Sequence, residues 1–215
     1  MKRNVIWRGF EERDLDFVYR CKNDKSLSKL SLNGFQPISY EEVAGWIEKC
    51  VHDDGTYKYW VICTDDEFQN IVGWCSISQI DFVEKKASIH GITIANARYR
   101  DGSALFSSVI HMVDYVFETL GLDRIDMKCL SGQLNSRAFL DLVLQKNERI
   151  DEKVVCRDGV CHDVVSYSIH REEYELLKKN GLVDFDVCVS KLKDQKRNNM
   201  DFHSNCYISL CKTYI

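Results

Sequence analysis

Between Tyr57 and Ile94 the period of the apolar residues changes to two, in three separate runs. Tyr57 to Cys63 is the first, Ile71 to Ile80 the second and Ala87 to Ile94 the third, each with the period of two that marks a strand. Asp65-Asp66-Glu67 supplies the turn between the first two, which therefore form a hairpin. Three strands in succession commit the middle of the chain to a mostly antiparallel sheet, and the flanking segments must cover it.

Those flanks read as helices. Glu11, Glu12, Asp14 and Asp16 crowd the start of one, where the helix dipole favours acids, and Leu15, Val18 and Tyr19 share its apolar face. Ser39 caps another, with Glu42 three residues on completing a capping box and Val43, Trp46 and Ile47 forming the stripe. A long helix starts at Ser103, with Leu105, Val109, Met112, Val113, Val116 and Phe117 on its buried side, and Gly121 ends it. Arg124 to Leu130 is a further strand, and Asn135 caps a helix to about Leu144. Val154 to Cys156 and Val164 to Ile169 close the sheet as a hairpin around Asp158-Gly159, before a short helix over 172–179. This order predicts an α+β fold, a mixed, mostly antiparallel central sheet flanked by helices. The domain is expected to span residues 1–180, with a C-terminal extension over 181–215 that packs on the body or on a second copy as a homodimer.

Composition narrows the function classes. A net charge of −4 leaves no basic footprint for nucleic acid. No apolar run approaches the roughly 20 residues that span a bilayer, so no membrane partner is expected. The N-terminus carries no signal-like apolar stretch, which favours a reducing cytoplasmic location over a disulfide framework for the ten cysteines. Cys156 with Cys161 and His162, and His203 with Cys206 and Cys211, lack zinc-finger spacing. No metal is expected, and the thiols read as small core or surface groups.

Chemistry concentrates between Ile89 and Ala104. A strand runs into a glycine-containing loop and straight on into a helix N-terminus, where free N–H groups and the helix dipole make an anion site. Arg98 and Arg100 add charge and Ser103 a hydroxyl. A pyrophosphate suits such a place, and so does a plain capped turn with two solvated arginines.

The succession of elements over residues 4 to 175 resembles the GNAT superfamily of acetyl-CoA-dependent N-acetyltransferases. Ile92, Thr93 and Ile94 look like the bulged strand whose N–H groups receive the acetyl carbonyl and pantetheine amides. Tyr99, Arg100, Asp101, Gly102, Ser103 and Ala104 look like the pyrophosphate loop, written Q/R-x-x-G-x-G/A, with Tyr99 in the first place unless Arg98 or Arg100 takes it by a one-residue shift. Asn135 resembles the asparagine that approaches the pantetheine arm. The ending over Asp158 to Val165, with Arg171 to Tyr174, is similar to the branch containing ribosomal-protein-type acetyltransferases, and the layout also resembles acetyltransferases of amino-sugar nucleotides. Leu142 stands where the family often places a tyrosine that protonates the departing thiolate, which leaves the general acid unassigned.

The resemblance implies acetyl transfer from acetyl-CoA to a primary amine by direct attack in a ternary complex. The acceptor it implies is a small molecule or amino-sugar nucleotide, with a protein N-terminus as the alternative. A non-catalytic module that binds CoA or a partner is the alternative of another class. His90, beside the bulge and titrating near neutral pH, is the candidate base. Phe35, Gln36 and Trp74 are the candidate acceptor walls, the aromatic pair because such rings stack on sugars and bases.

Overall fold

The computed structural model describes residues 4–28, 34–52, 55–133, 137, 140, 148–157 and 159–190, without the side chains of Ser28, His90 and Arg157. Seven strands form one sheet: β1 (Val5–Arg8), β2 (Lys58–Thr64), β3 (Ile71–Asp81), β4 (Lys86–Ile94), β5 (Arg124–Leu130), β6 (Glu148–Arg157) and β7 (Val160–His170). Their spatial order is β1-β2-β3-β4-β5-β7-β6. Every neighbouring pair is antiparallel except β4 and β5. That parallel pair needs a crossover, and a helix provides it.

Side-chain alternation divides the sheet between two layers. On one face α1 (Leu15–Lys22) and α3 (Tyr40–Val51), with the short α2 (Lys25–Ser28) between them, cover Val61 and Cys63 through Val18, Val43 and Ile47. The Ser39 box forms as its sequence predicts: Glu42 N–H donates to Ser39 Oγ at 3.2 Å, and Ser39 N–H to Glu42 Oε2 at 2.8 Å. On the other face lie α4 (Ser103–Asp114) and α5 (Arg171–Lys179), over Ile62, Cys75, Ile77 and Ile125. The buried edge of α4 runs through Ala104, Phe106, Val109 and Met112, while the expected Leu105 is only half-buried. The helix continues through a π-turn, Tyr115–Thr119, and a cation meets its end and the segment that follows: Arg171 Nη2 donates to the oxygens of Phe117 and Leu122, both at 2.7 Å.

Two features depart from expectation. Of the acids expected in the first turn of a helix, Asp14 instead ends a 3-10 turn before α1, with 1% exposure, and pairs with Arg8 of β1. Cys156 and Cys161 face each other across the β6–β7 hairpin and form a disulfide, which corrects their reading as separate thiols. Reading the hairpin register directly would have paired them. Cys50, Cys63, Cys75, Cys129 and Cys188 are buried and remain thiols. Past α5 the described residues 180–190 stay on the body: Leu182 and Cys188 are in the main core, and Phe185 meets Phe106 at 5.5 Å. Among the described residues no helix is long and apolar enough to cross a membrane. The expected helix from Asn135 to Leu144 lies outside the described residues, apart from Arg137 and Leu140.

Candidate active site

β4 keeps β3 as its neighbour to its end but leaves β5 halfway. The parallel ladder runs from Lys86, opposite Arg124, to Ile89, opposite Met127. Directly beyond Ile89, β4 carries two residues, His90 and Gly91, where β3 has one, Ser76. Gly91 takes φ +72°. A bulge of this kind bends the strand and sharpens its twist. The two parallel strands therefore part beyond Ile89 and Met127, and a crevice begins there.

What the far half of β4 presents to the crevice follows from the backbone. Ala95 N–H donates to the Val72 carbonyl of β3 at 2.9 Å, while Arg100 Nε donates to the Ile94 carbonyl at 2.9 Å and Nη2 to the Ala95 carbonyl at 2.8 Å. Successive residues of a strand alternate sides, so Ile92 and Ile94 aim their backbone groups toward the gap that β5 leaves, and Thr93 aims toward β3.

The loop from β4 to α4 is tightly built. Asn96 Oδ1 accepts from Arg98 N–H at 3.0 Å and starts a 3-10 turn over Ala97–Tyr99. Tyr99 packs half-buried on the main core, while Arg98 is exposed. Gly102 takes φ +86° as the N-cap of α4, a left-handed conformation in which any side chain is strained. Ser103 and Ala104 follow, both fully buried. Ser103 does not offer its hydroxyl outward. Its Oγ donates to Asp101 Oδ1 at 2.7 Å, and its N–H to the same oxygen at 3.0 Å. The first turn of α4 is thus an anion site that one of the chain's own carboxylates reaches.

Two titratable groups at the end of α1 feel the charge of Arg100. Asp24 is held below the usual carboxylate range, first by hydrogen bonds from Ser26 and to a smaller degree by Arg100. Burial pushes the Cys21 thiol up to about 11, with Arg20 and Arg100 opposing. Asn23 ties the segment entering α3 to α1: its Nδ2 donates to the carbonyls of Tyr19 and Ile38, and its Oδ1 accepts from Ile38 N–H at 3.1 Å. On that segment Phe35 is half-buried with Lys25 Nζ 5.4 Å from its ring, and Gln36 is exposed.

The candidate residues therefore fall into two groups. Ile92, Thr93, Ile94 and Tyr99 through Ala104 converge at the parted end of β4, and Trp74 lies beside them, paired with Thr93 and half-buried toward α1 and α3. Phe35 and Gln36 belong to the loop held by α1. His90 sits in the bulge, with its side chain outside the described residues, as is the whole of Asn135 and Leu142. Asn23 escaped sequence reasoning because its partners lie fifteen residues away and no local pattern marks it. Among the described residues no group of His, Cys, Asp or Glu is arranged to hold a metal.

Comparison with known proteins is consistent with this geometry. The family described as acetyltransferase (GNAT) domain matches residues 4–141. Among solved structures, a probable acetyltransferase superposes with a TM-score of 0.64 at 21% identity, covering 79% of this chain and 94% of the other. The spermidine N-acetyltransferase of Vibrio cholerae, solved with CoA and spermine, gives 0.63 at 18% identity, covering 79% and 97%. A GNAT-family acetyltransferase of Bacillus anthracis gives 0.61 at 18%, covering 80% and 98%. At such identities the likeness is one of fold. No curated protein matches the sequence.

Proposed function

The chain belongs to the GNAT acetyltransferase family and is an acetyl-CoA-dependent N-acetyltransferase, and from that premise we propose that its acceptor is the primary amine of a small molecule, amino-sugar nucleotides included. The observation that carries this choice is the pairing of Trp74 with Thr93. It sets a half-buried indole on the α1–α3 face of the sheet, one strand away from the amides that face the crevice, a flat apolar surface of about the size of one sugar ring or base.

The described residues suit the cofactor. Backbone N–H groups at Gly102 to Ala104 would take the diphosphate, and the groups of Ile92 and Ile94 would hold the acetyl and pantetheine end. Acetyl-CoA supplies the activated acetyl thioester when bound. The chain's own contribution is then of three kinds. Amides fixed in β4 stabilise charge that grows on the carbonyl oxygen, worth about 3 kcal/mol per donor in a dry site. Arg100 and Gly102 fix the loop so that binding far from the reacting carbon orients it. His90, placed in the bulge, is proposed to take the proton of the attacking amine, since imidazole changes charge near neutral pH. The vicinity of Asn135 is proposed for the pantetheine arm.

Release of free CoA thiol, measured with a panel of polyamines, amino-sugar nucleotides and basic peptides, tests the acceptor. Turnover of the small amines with idle peptides is expected. Turnover of peptide N-termini alone would replace the proposal. Loss of the neutral-pH limb of the kcat/KM profile in His90→Ala is expected of the base, and an unchanged profile removes that role.

A further inference from the structure

We propose that Asp101 competes with the cofactor's diphosphate for the N-terminus of α4, so that its carboxylate limits how tightly acetyl-CoA is held. The inference rests on the placement of the diphosphate given above. Its own ground is the hydrogen bonding of one oxygen, Asp101 Oδ1, which accepts from both the N–H and the Oγ of Ser103 at 3.0 and 2.7 Å. Those are the first N–H of the helix and the hydroxyl of its first residue. A carboxylate in that position is favourable for the free chain, because it meets the positive end of the helix dipole.

The same contact is unfavourable for a bound diphosphate. Like charges about 5 Å apart repel even where water enters. If Asp101 stays, the phosphates approach a site that already holds a negative charge. If it swings away, its two hydrogen bonds from Ser103 must be broken before the phosphates can accept from the same donors. Arg100 is committed to the Ile94 and Ala95 carbonyls, which leaves the exposed Arg98 to offset only part of the repulsion. Either course weakens the complex in favour of the free chain.

Asp101→Asn separates charge from hydrogen bonding, since its amide oxygen still accepts from Ser103. By calorimetry the variant is expected to bind acetyl-CoA about tenfold more tightly at low salt. Added salt should shrink that advantage, because screening removes the repulsion. S-acetylpantetheine, which lacks the diphosphate, should gain nothing. Asp101→Ala, which also removes the acceptor, should show the same gain with a lower melting temperature of the free chain. Wild-type binding of acetyl-CoA with no gain in a folded Asp101→Asn overturns the inference and leaves the cofactor site standing. An equal gain for S-acetylpantetheine overturns it too, since the change then acts through the fold. If neither protein binds acetyl-CoA while both are folded, the placement of the cofactor falls and the inference falls with it.

Discussion

Gly73 of β3 and Thr93 of β4 approach so closely that a Cβ on Gly73 would stand 1.8 Å from the Thr93 carbonyl oxygen and 2.9 Å from its carbon. Both atoms are backbone and cannot rotate aside, so a methyl group there must pry the strands apart. Gly73→Ala is expected to lose about 1–3 kcal/mol of stability, as overpacking does. Because the displaced strand is the one that carries Ile92 and Ile94, acetyl-CoA affinity should fall as well. Calorimetric melting with and without the cofactor reads both effects; an unchanged melting temperature would refute the close approach.

Arg100 fastens the end of β4 to the turn before α4 through two donors on one planar group. A lysine carries the charge without that fork. Arg100→Lys is therefore expected to behave nearly as Arg100→Ala, each raising KM for acetyl-CoA about tenfold, the effect of losing one charge-assisted hydrogen bond of about 1.4 kcal/mol. Full activity in the lysine variant would show that charge alone is needed.

Asp14 is a buried acid held by two Arg8 donors, at 2.8 and 2.7 Å, with the Glu11 N–H at 2.9 Å on the same carboxylate. Asp14 in turn keeps the Arg8 guanidinium more firmly protonated than usual. Removing the acid strands a charge that is mostly covered. Asp14→Ala should cost about 3–5 kcal/mol in urea denaturation. The further change Arg8→Met should recover part of that loss, and a loss below about 1 kcal/mol would mean that water already serves the pair.

His111 stacks on Trp7 at 4.3 Å and meets Trp60 edge-on at 5.2 Å, with its Nε2 buried and unpartnered. Burial lowers its pKa, against an opposing pull from Asp114. The folded chain therefore accepts this proton at a lower pH than the unfolded chain. The stability tied to the neutral ring is complete above about pH 6.5 and is lost as pH falls through that value toward the folded pKa. His111→Phe keeps the stack and removes the titration, so the urea midpoint should decline less steeply from about pH 7 to pH 5. An unaltered slope would assign the loss to other groups.

Local signals carried most of the architecture into the sequence. The capping box of Ser39 and Glu42 and the limits of β5 involve neighbours only, so their patterns survive folding unchanged. Asp14 misled because its acidic surroundings resemble the first turn of a helix, while its partner Arg8 belongs to a strand on the other side of a bend. The stack of His111 on Trp7 joins residues more than a hundred positions apart, which no window along the chain can show. At the site, the glycine loop was legible in outline. The direction of the Asp101 carboxylate was not, since a short acid beside a helix start can face solvent, helix or ligand equally well.

β7 is inserted between β5 and β6, and Arg171 directly after it grips the carbonyls of Phe117 and Leu122. On the ribosome, β5 is made well before its second neighbour. Until Val160–His170 has emerged, one edge of β5 has no strand to pair with, and exposed edges invite other chains. A transcript cut short before Val160 should accordingly yield protein that aggregates rather than a smaller enzyme. Every group proposed to line the crevice lies earlier in the chain, yet the wall behind them is completed last.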